Sequence, residues 1–171
     1  MIVIINGPLG AGKTETSWHL LERFDHGVML DGDFIGAVHP FELHSEARVS
    51  YLYQTLVLLV AHHRQNGYSN FVINYVFETP QSLALLRGML TPLDSQIIAF
   101  RLKCSPEVLE HRIRRRNPDA SQLAWELKRG PELAGIQEQA ARHGDLGYSV
   151  DSTLLDARQT ALLIWEIIQQ L

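Results

Sequence analysis

A glycine-rich stretch near the amino terminus, residues 7–14 with the sequence GPLGAGKT, restricts the fold of this chain more than any other feature. It matches the P-loop (Walker A) pattern GxxxxGK(S/T) in full. A short β-branched run precedes it and a helical pattern follows it. Glycines allow a tight turn whose N–H groups face phosphate oxygens, and the following helix directs its positive end to the same place. The stretch therefore predicts a site for a nucleoside triphosphate.

The residue types in this loop predict how the nucleotide is held. We expect the residues that contact the nucleotide to be Gly7, Leu9, Gly10, Ala11, Gly12, Lys13 and Thr14. Lys13 would bring a mobile positive charge to the outer phosphates, and the Thr14 hydroxyl would ligate Mg²⁺. An accidental glycine-rich turn is the alternative, which the placement between a strand and a helix disfavours. The glycine spacing does not fit the GxGxxG pattern of dinucleotide-binding proteins.

The order of apolar runs along the chain predicts the fold class. Strand-like runs at residues 2–5, 28–30, 71–75, 96–102 and 148–150 alternate with helical patterns. Such alternation favours an α/β fold with a parallel sheet and helices on both faces. Residues 117–145 are polar with scattered helix formers, and we expect two short helices there that form an insertion or lid. The whole chain, residues 1–171, is accordingly predicted to be one domain.

Composition excludes several classes of function. The formal charge of −4 and the pI near 6.0 disfavour a dedicated polyanion binder, so no nucleic-acid partner is expected. Cys104 is the only cysteine, and no basic leader precedes the first apolar run. No apolar run approaches the roughly 20 residues that cross a bilayer. We therefore expect a cytoplasmic protein without a membrane partner, while the oligomeric state is not predicted.

Two carboxylates follow the second predicted strand. Asp31 and Asp33 flank Gly32 at the carboxyl end of that strand, where ligands bind in open α/β sheets. One carboxylate could hold Mg²⁺ through water, and the other could accept a proton from an attacking hydroxyl. A solvent-exposed Asp-Gly turn is the alternative, which the nearby P-loop disfavours.

A cluster of arginines ends a later helical pattern. Arg112 and Arg116 are spaced i, i+4 and share a helix face, and Arg115 is also near Arg112 on that helix. An arginine that closes over the γ-phosphate would supply positive charge where negative charge is redistributed in the transition state. A solvated basic helix end is the alternative interpretation, and it suits Arg114.

The sequences GPLGAGKT, LDGD at residues 30–33 and LEHRxxxR at residues 109–116 occur in an order that is typical of one family. The chain resembles the small P-loop kinases, which include shikimate, gluconate, adenylylsulfate and nucleoside monophosphate kinases and the chloramphenicol phosphotransferases. This resemblance implies a three-layer P-loop NTPase fold with a five-stranded parallel sheet, helices on both faces and a small helical lid at about residues 117–145. It also implies an ATP- and Mg²⁺-dependent phosphotransferase.

The resemblance further implies roles for individual residues. Asp33 would be the general base or would bind the acceptor, and Asp31 would lie with Thr14 near the Mg²⁺ ion. Arg112 would lie against the adenine, with backbone contacts to the base from residues 149–153. Arg116 would reach the phosphates. The predicted catalytic residues are therefore Lys13, Asp33 and Arg116.

One position departs from the family pattern. Asn74 ends the third predicted strand, where many relatives have an aspartate. An amide cannot act as a base or carry the same charge, so the usual Mg²⁺-linked carboxylate is in doubt there. Asp31 is the residue that could take this role alone.

The sequence does not identify the phosphoryl acceptor or distinguish ATP from GTP. The predicted acceptor-binding residues are Asp33, Phe34, His39, Arg48, Tyr75 and Glu78, with Phe41 and Tyr51 as further candidates that could equally belong to the core. The leading hypothesis is a kinase for a small metabolite, nucleoside or antibiotic. A nucleotide-dependent switch or sensor is the main alternative, and a nucleic-acid end kinase is a third.

Overall fold

The computed structural model describes residues 1–43, 45–116 and 119–171. Its five parallel strands form one sheet in the order β2-β3-β1-β4-β5. The strands are β1 (Ile2–Asn6), β2 (Gly27–Asp31), β3 (Asn70–Asn74), β4 (Ile97–Lys103) and β5 (Tyr148–Asp151). The helices are α1 (Lys13–Leu21), α2 (Gly32–Ile35), α3 (Glu46–Gln65), α4 (Pro80–Leu90), α5 (Pro106–Arg115), α6 (Ala120–Ala140) and α7 (Ala157–Ile168). The predicted fold class is confirmed.

Strand β1 occupies the centre of the sheet because its side chains are apolar on both faces. Ile2 and Ile4 pack into a cluster with α3 and α4, whereas Val3 and Ile5 pack into a second cluster with α1 and α7. All four residues are fully buried. A continuous β-branched run is typical of a parallel strand that helices cover on both sides.

The carboxyl ends of the three strands on one side of the sheet carry polar residues. Asp31 of β2 lies beside Asn74 of β3 in register, and Asn74 lies beside Ile5 of β1, one residue before Asn6. From β1 the chain first forms β2 and β3 on one side of the sheet and later adds β4 and β5 on the other side. A crevice opens at the carboxyl ends of the strands where the chain changes direction in this way. Ligands of open α/β sheets bind in such a crevice.

The segment that was predicted to contain two short helices contains one long helix instead. Helix α6 continues through Pro131, although an internal proline removes one backbone hydrogen bond. Packing against α5 supports the continuous helix: a Cβ atom on Gly130 would lie only 2.8 Å from Cδ1 of Ile113. Asn117 and Pro118, at the start of the predicted lid, lie outside the described residues. That this segment acts as a lid stays a prediction.

Helix α1 turns mainly small side chains towards the interior. Its buried residues include Thr16, Ser17 and Leu20, whereas Trp18 is 55% exposed. This face of the helix packs against α7 and against the strands of the sheet, where small side chains allow a close approach. Phe24 lies beyond the helix and packs edge-on against Trp165 of α7. In the described ranges, no helix is long and apolar enough to cross a membrane.

Candidate functional site

The glycine-rich loop connects β1 to α1, as predicted. Gly10 and Gly12 have φ angles of 82° and 90°, in the left-handed region that favours glycine. A Cβ atom on Gly10 would also lie 2.7 Å from Cγ1 of Ile113. Gly12 is the residue before the first turn of α1. The backbone conformation therefore favours glycine at both positions, and close packing adds a second reason at Gly10.

Lys13 lies buried within this loop. Its Nζ atom donates a hydrogen bond to the backbone oxygen of Pro8 at 3.2 Å. Burial lowers the pKa of Lys13, the negative charge of Asp33 opposes this shift, and the positive charge of Arg116 adds to it. The three predicted catalytic residues, Lys13, Asp33 and Arg116, are therefore close enough to influence one another electrostatically.

Asp31 connects the loop to the short helix α2. Its Oδ2 atom accepts the Thr14 hydroxyl at 3.1 Å. Its Oδ1 atom accepts the backbone N–H groups of Asp33 at 2.9 Å and Phe34 at 3.3 Å. Asp31 is thus the N-cap of α2, so this sequence begins a helix rather than forming a simple exposed turn. The cap orients the residue that carries the second carboxylate.

The oxygen atoms of Thr14 and Asp31 suit a Mg²⁺ ion that keeps phosphate and water ligands. Mg²⁺ prefers oxygen ligands and is usually bound by one or two protein groups together with substrate phosphates. Among the described residues, no group of three or more His, Cys, Asp or Glu side chains could form an all-protein metal site. Asn74, 1% exposed, brings an amide rather than a carboxylate to this edge. The assignment of Thr14 and Asp31 to Mg²⁺ stays a prediction.

The Asp33 side chain is exposed at the crevice, and the protein atoms around it partly desolvate its carboxyl group. This desolvation raises the pKa of Asp33, while the positive charge of Lys13 is the strongest opposing influence. The neighbouring Asp31 raises the pKa further, and Arg116 and Arg48 lower it. A carboxylate with a raised pKa is a stronger base, which suits proton abstraction from a hydroxyl.

Arg116 is held beside the loop by a carboxylate from α6. Its Nη1 atom lies 3.1 Å from Oε2 of Glu126, a residue that is only 4% exposed. The other oxygen of Glu126 accepts Nε2 of Gln122 at 3.1 Å. Glu126 could not be identified from the sequence, because a single acidic residue in a polar segment carries no pattern.

Arg112 binds backbone and hydroxyl oxygens. Its Nη1 atom donates to the oxygen of Ala11 at 3.2 Å and to Oγ of Ser152 at 3.0 Å. Its Nη2 atom donates to the oxygens of Ser152 at 2.8 Å and Leu155 at 2.9 Å. Arg112 thus ties α5 to the phosphate loop and to the loop after β5. Its predicted contact with adenine stays a prediction.

A pocket of about 500 Å³ opens beside the phosphate loop. It is lined by Gly10, Ala11, Gly12, Thr14, Glu15, Thr16, Phe34, Arg112, Arg115, Arg116, Asp156, Ala157 and Thr160. This volume lies within the range of small-molecule sites. Phe34 contributes to this lining and is 79% exposed, and its predicted contact with the acceptor stays a prediction. Gly7 packs against Leu102 beneath the loop.

The other predicted acceptor residues lie on two sides of the crevice. Nη2 of Arg48 lies 3.4 Å from the Tyr75 hydroxyl, and the Tyr75 ring covers Gly32. Glu78 forms an ion pair of 2.6 Å with Arg129 of α6, a partner that the sequence did not indicate.

A further depression of about 370 Å³ lies beside Arg48. His39 and Tyr51 both contribute to its lining. Phe41 and Tyr51 are 55% and 50% exposed, so neither belongs to the core.

A buried hydrogen-bond cluster that the sequence did not indicate lies beneath the loop. Oδ1 of Asn6 accepts the backbone N–H groups of Gly7 at 2.7 Å and Phe77 at 2.9 Å. It also accepts Nε2 of Gln137 from α6 at 2.9 Å. Asn6 and Gln137 are 0% and 1% exposed. The cluster joins the start of the phosphate loop to the loop after β3 and to α6.

The sequence matches one family model, and the fold is similar to that of several solved structures. Residues 2–130 match the model of a family described as AAA domain. No curated protein matches the sequence at a significant level. The fold is similar to a tunicamycin resistance protein from Deinococcus radiodurans, with 20% identity, a TM-score of 0.66, and coverage of 98% of this chain and 94% of that chain.

Two other similar structures have TM-scores of 0.66. A shikimate kinase from Acinetobacter baumannii, solved with shikimate, is 22% identical, with coverage of 99% of this chain and 93% of that chain. The YorR protein from Bacillus subtilis, solved with phosphorylated GDP, is 12% identical, with coverage of 99% and 96%. At these identities the likeness shows a shared fold. The predicted resemblance to small P-loop kinases is thereby confirmed at the level of the fold.

Proposed function

We propose that this chain, which belongs to the AAA domain family, is a kinase that transfers the γ-phosphoryl group of ATP to a small molecule. One observation carries the proposal: Asp31 accepts the Thr14 hydroxyl of the phosphate loop at 3.1 Å and caps the short helix that carries Asp33, so a second carboxylate lies beside that loop. A switch that only binds nucleotide needs the loop, but it does not need a carboxylate of raised pKa facing that loop. The family and the fold support a phosphotransferase in general terms.

The nucleotide end of the reaction would use the loop and the residues around its pocket. Backbone N–H groups of the loop and the amino end of α1 favour a bound phosphate chain. Lys13 would exchange its contact with the Pro8 oxygen for phosphate oxygens. Thr14 and Asp31 would hold Mg²⁺, which supplies positive charge to the phosphate oxygens when it is bound.

The transfer step would be an in-line displacement at the γ-phosphorus. Asp33 would accept the proton of the acceptor hydroxyl while the oxygen of that hydroxyl forms a bond to phosphorus. The bond from phosphorus to the oxygen between the β- and γ-phosphates breaks, ADP leaves, and the proton on Asp33 passes to solvent. Arg116 would stabilise the charge that is redistributed over the phosphoryl oxygens.

Substitution of Asp33 tests this proposal. Asp33→Asn removes the base but leaves the loop intact, so ATP affinity should stay within about threefold while acceptor-dependent ADP release falls at least about 100-fold. Calorimetric titration with ATP and a coupled assay for ADP, run against a metabolite library, measure the two quantities. Asp25→Asn is the matched control, because Asp25 is exposed and lies before β2, at the amino ends of the strands and away from the crevice. Acceptor-dependent turnover that survives in Asp33→Asn would show that another group is the base.

A further inference from the structure

Arg48 differs from two other arginines beside the crevice in having no acidic partner. Arg116 and Arg129 form ion pairs with Glu126 and Glu78. Among residues 1–43, 45–116 and 119–171, no carboxylate lies within 4.0 Å of the Arg48 guanidinium. Arg48 therefore brings a positive charge to the crevice that the described protein groups do not neutralise.

Neutral groups hold Arg48 in place. Its Nε atom donates to the backbone oxygen of Glu42 at 3.0 Å, and its Nη2 atom donates to the oxygen of Leu43 at 3.1 Å. The Phe41 ring centre lies 4.7 Å from Cζ of Arg48, a cation–π contact. These contacts orient the guanidinium without cancelling its charge. Nη1 has no hydrogen-bond partner among the described residues, so it is available to a ligand.

The guanidinium faces the short helix that carries the proposed base. A Cβ atom on Gly36, the residue that ends α2, would lie 3.2 Å from Nη1 of Arg48. Tyr75, within 3.4 Å of Nη2, covers Gly32 at the start of the same helix. Asp33 precedes Gly36 by three residues on this four-residue helix, so Arg48 contacts the helix about one turn from Asp33.

We propose that the acceptor is an anion, whose carboxylate or phosphate group binds Arg48 while its hydroxyl lies at Asp33. This inference rests on the proposed kinase function. A guanidinium binds the oxygens of carboxylates and phosphates through directed N–H···O bonds. A neutral acceptor would displace water from Arg48 without replacing the lost hydration, which disfavours its binding.

Matched pairs of acceptors test the inference with the full chain, ATP and Mg²⁺. One arm compares hydroxy acids with their uncharged amides, and the other compares phosphorylated polyols with the parent polyols. Only the charged compound of a pair should stimulate ADP release. Stimulation by a hydroxy acid would identify carboxylate as the group that binds Arg48, and stimulation by a phosphorylated polyol would identify phosphate. Phosphorylation of a neutral member, with a KM that Arg48→Gln leaves unchanged, would overturn the inference and leave the kinase function standing.

Variants of Arg48 assign the effect to this residue. Arg48→Gln should raise KM for the anionic acceptor at least about tenfold, because it removes a charge-assisted hydrogen bond. KM for ATP should change less than about twofold, and Arg48→Lys should restore part of the acceptor affinity, since it keeps the charge. Arg114→Gln is the matched control, because Arg114 is exposed and paired with Glu110 on the outer face of α5. Thermal unfolding of each variant verifies that it is folded.

A binding experiment separates failure of this inference from failure of the kinase function. If no acceptor in either arm stimulates ADP release, the kinase proposal is contradicted, and anion binding is then measured directly. With a non-hydrolysable ATP analogue filling the phosphate loop, inorganic phosphate should bind the wild type and bind Arg48→Gln at least about tenfold more weakly. Equal binding to both proteins, or no binding to the wild type, would overturn the anion site.

Discussion

Replacement of Asn6 by alanine should destabilise the protein more than its size suggests. The substitution removes the acceptor for three donors: the backbone N–H groups of Gly7 and Phe77 and the amide of Gln137. Gln137 retains the oxygen of Phe77 as a partner at 2.9 Å, so two backbone donors lose their acceptor. At about 1–3 kcal/mol for each unsatisfied buried group, the expected loss in the free energy of unfolding is about 2–6 kcal/mol.

Urea unfolding at equilibrium measures this loss, and two further variants make the result specific. Asn66→Ala removes an exposed amide that donates to the oxygen of His62, and it should cost no more than about 0.5 kcal/mol. Gln137→Leu should cost about 1 kcal/mol or less, because it also removes Oε1, which has no partner among the described residues. An Asn6→Ala cost below about 1 kcal/mol, or a larger cost for Gln137→Leu, would refute the reasoning.

Three further predictions concern the crevice. Lys13→Ala should weaken ATP affinity about 10- to 100-fold, measured by calorimetry, and unchanged affinity would contradict the phosphate-loop assignment. Glu126→Gln should release Arg116 and lower kcat about three- to tenfold with little change in KM for ATP, as seen in steady-state kinetics. Because partial desolvation in the crevice raises the pKa of Asp33, the folded state binds its proton more tightly than the unfolded state. This contribution to stability is lost as pH rises through the folded pKa. Asp33→Asn should therefore stabilise the protein at neutral pH, measured by urea unfolding, with a gain that disappears in acid; a gain independent of pH would contradict this assignment.

Features that are local in sequence were predictable. The strands appear as short apolar runs, since a parallel strand covered on both faces tolerates few polar residues. The phosphate loop is contiguous, and its glycines, Lys13 and Thr14 form a pattern with a direct physical meaning. The continuity of α6 was not predictable, because Pro131 and the adjacent Gly130 indicate a break, whereas packing against α5 and the phosphate loop supports the helix there.

Features that join distant segments were not predictable from one sequence. Gln137 and Asn6 are separated by 131 positions yet share a buried hydrogen bond. Glu78 and Arg129 form an ion pair across 51 positions, and although Glu78 was predicted to bind the acceptor, nothing in the sequence indicated Arg129 as its partner. The N-cap role of Asp31 is local in sequence but was also not predictable, because a helix as short as α2 leaves no apolar period to detect.

The fate of the γ-phosphoryl group tests the central claim most directly. ATP labelled at the γ-phosphorus is incubated with the full chain, Mg²⁺ and a library of small molecules, and the labelled products are separated. The account predicts a labelled phosphoester of a small molecule, formed by the wild type and by Asp25→Asn and reduced at least about 100-fold in Asp33→Asn. Label that appears only as inorganic phosphate, at a rate that a protein partner rather than any small molecule increases, would contradict the kinase and indicate a nucleotide-dependent switch.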